Sequence, residues 1–144
     1  MHCKFKKADD YSSQVIGAAI EVHRLKGPGL IESIYEKCLM RELTLRGISI
    51  KNQLQVPIEY KGYCFEEKLK LDIIVDDCLL LELKAVENIL PIHKAQLLSY
   101  MRLLDIPVGL LLNFHEIRMK DGIFRMMLPN ANKEKLEQRG NEEN

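Results

Sequence analysis

Two short apolar segments, Leu69–Val75 and Leu79–Ala85, follow each other with only residues 76–78 between them. Each has the length of a strand and carries apolar residues at odd and even positions, so both of its faces avoid water. A sheet that is apolar on both faces has to be covered by helices on both sides. The two segments therefore predict an α/β fold in which a sheet lies between helices.

The length of the connection between these segments decides which side chains share a face. In an antiparallel hairpin the numbers of directly opposed residues have a constant sum. A two-residue turn would leave Asp72 and Glu82 on different faces, whereas a three-residue loop over 76–78 opposes Val75 to Leu79 and Asp72 to Glu82. We predict the three-residue loop, because it also collects the apolar side chains on one face. That face comprises Leu71, Ile73, Val75, Leu79, Leu81 and Leu83.

The remaining elements follow from apolar periodicity and from the residues that interrupt it. Helices are predicted from Ser12 or Ser13 to Lys26, from Leu30 to Arg46 and from Pro91 to Leu104, and further strands at Gln53–Tyr60, Tyr63–Glu66, Pro107–Asn113 and Gly122–Leu128. A strand that follows a crossover helix requires at least one parallel pairing, so the sheet is expected to be mixed. We expect a single domain over residues 1–129 and a polar C-terminal tail over residues 130–144.

The charge of the chain restricts its partners. Its 21 basic and 21 acidic residues cancel, which argues against a non-specific nucleic-acid coat but leaves room for a local basic patch. The four cysteines form no CxxC pair and are expected to be reduced thiols, as in a cytoplasmic protein. No segment is apolar over a bilayer-spanning length, so no membrane partner is expected. The apolar C-terminal strands and the neutral charge are compatible with a homodimer.

Three charged residues interrupt the apolar segments and have to be explained. Asp72 lies in the first segment, and Glu82 and Lys84 lie two apart in the second, so the last two leave the same face of a strand. Paired carboxylates repel each other unless a hard cation such as Mg²⁺ or Mn²⁺ binds between them. Such a cation acidifies bound water and polarises phosphoryl oxygens, which is the chemistry of phosphodiester hydrolysis. The alternatives are a solvated charged edge and a buried ion pair of Lys84 with Asp72.

Two of the predicted helices carry further polar candidates. On the third helix His93, Gln96 and Tyr100 recur at three- and four-residue steps and share a face, which could reach the end of the Glu82 strand. On the second helix Glu32, Tyr35 and Glu36 share a face. Glu32 lies in the first turn, where the helix dipole favours a carboxylate in any case.

The segment Gly29–Tyr35 has the pattern GxxExxY, and the chain resembles the GxxExxY family of the PD-(D/E)XK nuclease-like superfamily. The likeness runs from about Val15 to Met127 and includes the D-x9-ELK segment around Asp72, Glu82 and Lys84. It implies a restriction-endonuclease-like core of a mixed β-sheet flanked by helices. It also implies that Asp72, Glu82 and Glu32 ligate Mg²⁺ or Mn²⁺ and that Lys84 is the catalytic lysine. Gln96 and Tyr100 match a QxxxY element that supports such sites or contacts substrate, and Tyr35 and His93 are assigned to the same supporting group.

These observations leave two functional hypotheses and one structural one. The first is a metal-dependent nuclease that hydrolyses phosphodiester bonds of DNA or RNA, with Asp72, Glu82, Lys84, Glu32 and Gln96 as its catalytic set. The second is a catalytically silent nuclease-like module that binds nucleic acid or a protein partner. In the third, the polar cluster is an internal ion-pair network.

Overall fold

A computed structural model of the chain describes residues 1–133. The elements are α1 (Phe5–Lys26), α2 (Glu32–Leu45), β1 (Ile50–Tyr60), β2 (Tyr63–Val75), β3 (Leu79–Lys84), α3 (Pro91–Leu104), β4 (Val108–Asn113) and β5 (Ile123–Met127), with a short 3₁₀ turn at Met119–Gly122. The five strands form one sheet in the order β1-β2-β3-β4-β5. The pair β3–β4 is parallel and the other three pairs are antiparallel.

The sheet separates two apolar layers, as the sequence predicted. Along β3, Leu81 packs into the layer of α1 and α2, whereas its neighbour Leu80 packs into the layer of α3. The crossover through α3 returns the chain to the sheet as β4 and makes the expected parallel pair. The fold is therefore α/β, with a mixed β-sheet flanked by helices on both faces.

The first helix is longer than predicted. It begins at Phe5, and Ser12, which was expected at or next to its N-cap, is buried inside it. The core-facing positions continue upstream at helical spacing through Ala8 and Phe5. Charged residues lie between these positions, so the apolar spacing of this first part of the helix is not evident in the sequence.

The largest boundary differences among the other elements are in β1 and β2, and the ends of α2, β3, β4 and β5 differ by one or two residues. Strand β1 begins at Ile50 rather than Gln53, and β2 is continuous from Tyr63 to Val75, where two separate strands were predicted. The backbone pairing of β1 explains the continuity, because it holds the polar residues of β2 in the ladder. Helix α3 has the predicted bounds, Pro91–Leu104.

The predicted register of the β2–β3 hairpin is confirmed for the loop and the three pairs next to it, but the predicted pair of Asp72 with Glu82 is not part of the ladder. Val75 pairs with Leu79 and Ile73 with Leu81, across a loop of residues 76–78. Asp76 and Asp77 have φ angles of 45° and 54°, and aspartate is one of the few non-glycine residues that tolerates this left-handed region. The Cys78 N–H donates to the Val75 carbonyl at 3.0 Å and closes the turn.

One part of the predicted apolar face is wrong. Leu71 packs in the α3 layer, together with its β1 partner Leu54, whereas Ile73 packs in the α1/α2 layer. Between these positions the ladder omits the pair Gln53–Asp72, and Gln53 has a φ of 50°. The side-chain alternation of both strands therefore reverses at Gln53 and Asp72, which a strict two-residue period does not anticipate.

The predicted tail lies outside the described residues from position 134 onward. Ala131 is buried, and its carbonyl accepts the His2 N–H at 2.8 Å. The domain boundary at residue 129 stays a prediction. Within residues 1–133, none of the helices combines the length and the apolar character that crossing a membrane requires.

Candidate active site

Asp72 lies where β2 and β3 stop pairing. The recorded ladder ends at Ile73–Leu81, and one step further the Leu83 N–H donates to Asp72 Oδ2 at 2.9 Å. The carboxylate thus takes the place of a backbone acceptor at the point where the strands part. Burial raises the pKa of Asp72 above its usual range, and the Leu83 N–H opposes that rise.

Glu82 is the most unusual ionisable group of the site. Its side chain belongs to a residue only 6% exposed, and its Oε1 is buried without a hydrogen-bond partner. Burial, followed by the negative charge of Asp72, raises the pKa of Glu82 from 4.5 to about 8. A buried carboxyl oxygen with nothing to bind costs free energy, so packing alone does not explain its presence.

Lys84 follows Glu82 on the same face of β3 and is half-buried. Its positive charge lowers the pKa of Glu82, Asp72 and Glu32, which places the ammonium group in the field of all three carboxyl groups. No ion pair within 4.0 Å joins Lys84 to another of residues 1–133. A closed network of ion pairs therefore does not describe this cluster.

Helix α2 brings two more carboxylates to the same place. Glu32, in its first turn, has a pKa raised by desolvation and then by the charge of Asp72. Glu36, one turn later, raises the pKa of Asp72 and accepts a hydrogen bond from Gln53 Nε2. The sequence interpretation noted the position of Glu36 but did not assign it to the site. The available signal was its four-residue spacing from Glu32, which puts both on one helix face.

The polar residues of α3 are not joined to these carboxylates. Gln96 is exposed and its Nε2 donates to the hydroxyl of Tyr100 at 2.8 Å. His93 Nδ1 accepts the Leu90 N–H at 3.0 Å and so caps the helix. No hydrogen bond or ion pair recorded among residues 1–133 links the three side chains to Asp72, Glu82 or Lys84. Their roles in catalysis stay predictions.

Tyr35 lies in the core and is bonded to the turn that precedes α2. It has no accessible surface, its hydroxyl donates to the Gly27 carbonyl, and the same oxygen accepts the Leu30 N–H at 3.1 Å. Its ring stacks on Phe114 with the centroids 4.6 Å apart, and the Phe114 N–H donates to the Lys84 carbonyl at 2.9 Å. Tyr35 therefore fixes the turn before α2 and packs on Phe114, which is bonded to the end of β3 at Lys84. Its role in supporting the site stays a prediction.

Tyr35→Phe is expected to destabilise the fold, because two backbone groups of the turn lose their buried partner. We expect a loss of about 1–3 kcal/mol in the free energy of unfolding. Urea denaturation measures it, with Tyr60→Phe as the matched control, because Tyr60 is 63% exposed. An equal stability of the two variants would contradict the supporting role of the Tyr35 hydroxyl.

The donor set fits a hard divalent cation. Among residues 1–133 no three carboxylate, imidazole or thiolate groups converge closely enough to form a complete cage. Mg²⁺ does not need such a cage, because it keeps several waters and commonly binds through one or two carboxylates and substrate phosphates. The unpartnered Glu82 Oε1 beside Asp72 supplies the oxygen ligands that this ion prefers.

The fold is a mixed sheet between helices. Two carboxyl groups and a lysine lie where β2 and β3 stop pairing, and this combination is that of a nuclease-like protein of the restriction-endonuclease-like class. A family model described as the PD-(D/E)XK nuclease superfamily matches residues 9–126. The chain belongs to this superfamily. No curated protein and no solved structure matches the sequence of this chain. The narrower assignment to the GxxExxY family stays a prediction.

Proposed function

We propose that the protein is a divalent-metal-dependent nuclease that hydrolyses phosphodiester bonds of DNA or RNA. The observation that carries the proposal is the buried, unpartnered Oε1 of Glu82 next to Asp72. This arrangement does not stabilise the fold, because the buried carboxyl group is destabilising as an anion. A divalent cation bound there would be ligated by carboxylate oxygens of Glu82 and Asp72. Membership of the superfamily supports the same reading.

Each residue of the site has a role in this proposal. Asp72 and Glu82 would hold a Mg²⁺ or Mn²⁺ ion, with Glu32 at the rim of the site. When bound, such an ion makes a water molecule more acidic and polarises a phosphoryl oxygen. The Leu83 N–H fixes the orientation of the Asp72 carboxylate. Lys84 orients the attacking water or stabilises the negative charge that develops on the phosphoryl group.

Purified protein is expected to cleave DNA or RNA in Mn²⁺ or Mg²⁺ and to lose this activity in excess EDTA. In Asp72→Asn cleavage is expected to fall by a factor on the order of 10²–10³ or more, because an electrostatic group at the reacting centre is lost. Asparagine keeps an acceptor for the Leu83 N–H, so the hairpin is preserved. The readout is cleavage of labelled single- and double-stranded substrates over time.

The matched control is Asp121→Asn, because Asp121 is an exposed carboxylate that pairs with Arg118. Cleavage that survives in Asp72→Asn would reveal a contaminating nuclease and contradict the assignment. Salt-dependent binding without any cleavage would instead favour the catalytically silent module.

A further inference from the structure

Two lysines lie on the outer face of β2 directly beside the site. Lys68 and Lys70 are exposed, whereas Leu69 is half-buried and Leu71 is fully buried in the α3 layer. Alternation along the strand therefore sends both ammonium groups to the same solvent-facing side. Residues two apart in a strand are separated by about 6.5–7 Å, so the two charges form a short, regular row. The row begins two residues from Asp72.

A cleft continues this row toward α2. It has a volume of about 490 Å³ and is lined by Ser33 and Lys37 of α2 and by Asn52, Gln53 and Lys70 of the sheet, with Glu36 between the two walls. Lys70, which lines one wall of this cleft, is two residues from Asp72 in β2. The side chains lining its walls offer hydroxyl, amide and ammonium donors, the groups that bind phosphate oxygens.

The lysines of this surface have no carboxylate of their own. Within the described residues, Lys37, Lys68 and Lys70 form no ion pair within 4.0 Å, whereas Arg24, Arg46, Arg118 and Arg125 are all paired with acidic side chains. In a chain of zero net charge, unpaired lysines gathered at one place are the source of local attraction for a polyanion. Glu36 is the acidic group in the cleft, and its hydrogen bond from Gln53 holds it against the β1 wall.

We propose that the outer face of β2 at Lys68 and Lys70, together with the cleft beside Lys37, binds the phosphodiester backbone of a nucleic acid on one side of the cleaved bond. We call this surface the lysine track. The proposal rests on the proposed function and adds to it where the substrate lies. The track is short, because Glu66 and Glu67 precede Lys68 in the strand and repel phosphate. It neutralises about two or three phosphates, one for each lysine.

The test is the salt dependence of nucleic-acid binding in EDTA, where cleavage does not interfere. Fluorescence anisotropy of labelled single strands and duplexes of both DNA and RNA is measured for the wild-type protein and for Lys68→Ala, Lys70→Ala and the double variant. The slope of log K against log salt is expected to fall in magnitude by about 0.7–0.9 for each lysine removed. Lys120→Ala is the control, since Lys120 is an exposed lysine on the connection between β4 and β5 and is expected to leave the slope unchanged.

Calorimetric Mn²⁺ binding is the second readout, and every variant should still bind the ion, because the track does not hold it. If wild-type protein binds nucleic acid and the double variant has the wild-type slope, the lysine track is wrong and the nuclease proposal stands. If wild-type protein neither binds nor cleaves any nucleic acid, both proposals are wrong. A change of slope in Lys120→Ala equal to that of the track variants would also overturn the track, because the attraction would then be spread over the surface.

Discussion

Glu82→Gln is expected to raise the melting temperature of the metal-free protein at alkaline pH. The pKa of Glu82 is raised from 4.5 to about 8 in the folded protein, chiefly by burial. Between these two values the folded state keeps a proton that the unfolded chain has released. The free energy of unfolding therefore falls as the pH rises through this window, and it stays reduced above it. Glutamine removes this penalty, because it is neutral at every pH.

The expected gain is several kcal/mol, roughly 3–5, well above pH 8 in a metal-free buffer. It shrinks as the pH is lowered and disappears below pH 4.5, where Glu82 is protonated in the folded and in the unfolded state. Thermal unfolding of both proteins across this pH range measures the difference. Glu59→Gln serves as the control, since Glu59 is exposed on β1 and its replacement should leave the melting temperature nearly unchanged.

Unfolding measured with Mn²⁺ distinguishes the loss of the buried charge from an improvement in packing as the cause of the higher melting temperature. The ion is expected to stabilise the wild-type protein, because ligand that binds only the folded state raises its stability. In Glu82→Gln that stabilisation should be largely lost, because a carboxylate ligand is missing. A variant that is no more stable than the wild type at high pH, or that responds to Mn²⁺ as the wild type does, would contradict the assignment of Glu82.

Lys84→Met is expected to abolish most cleavage while the fold and Mn²⁺ binding persist. Methionine has a similar length and no charge, so it fills the half-buried position on β3 without the ammonium group. The three carboxyl groups near Lys84 remain available to the ion. We expect cleavage to fall by about 10²–10³, which is the usual effect of removing one group that stabilises developing charge.

Cleavage assays and Mn²⁺ calorimetry on the same preparation check this result, with Lys120→Met as the control at an exposed position. Loss of Mn²⁺ binding together with activity would assign Lys84 a structural role in the ion site instead. Full activity in Lys84→Met would remove this residue from the mechanism. Lys84→Arg is a useful companion, because it keeps the charge but not the shape of the ammonium group.

The parts of the fold that could be predicted from sequence are those with a local cause. Pro91 and the apolar period define α3, and the parity of the hairpin defines the pairing of Val75 with Leu79. The start of α1 could not be read, because its first core contacts depend on the tertiary position of Phe5 and Ala8. The reversed facing of Leu71 could not be read either, since it depends on the left-handed backbone of Gln53 in a different strand.

The residues of the candidate site also fall into those that the sequence could group and those that it could not. Glu82 and Lys84 could be grouped because they are two residues apart on one strand. The hairpin register brought Asp72 toward Glu82, although the ladder itself ends at Ile73–Leu81. Spacing places Glu36 on the same helix face as Glu32, but it does not say which turns of α2 reach β2. Helical spacing placed Gln96 and Tyr100 on one face correctly, as their hydrogen bond shows. It could not say how far along the sheet that face lies from the carboxylates.

The bond from the Leu83 N–H to Asp72 has a bearing on how natural selection would act on this chain. A lineage that lost the chemistry would still be selected to keep aspartate or asparagine at this position, because the hairpin needs an acceptor there. A neutral glutamine could keep the backbone hydrogen bond between Glu82 and Asp72, and the buried oxygen of Glu82 makes the protein less stable as an anion. In a descendant without the activity, we therefore expect position 82 to change to a neutral residue. An acidic residue at position 82, rather than at position 72, is thus the better indication that a related protein still uses the site.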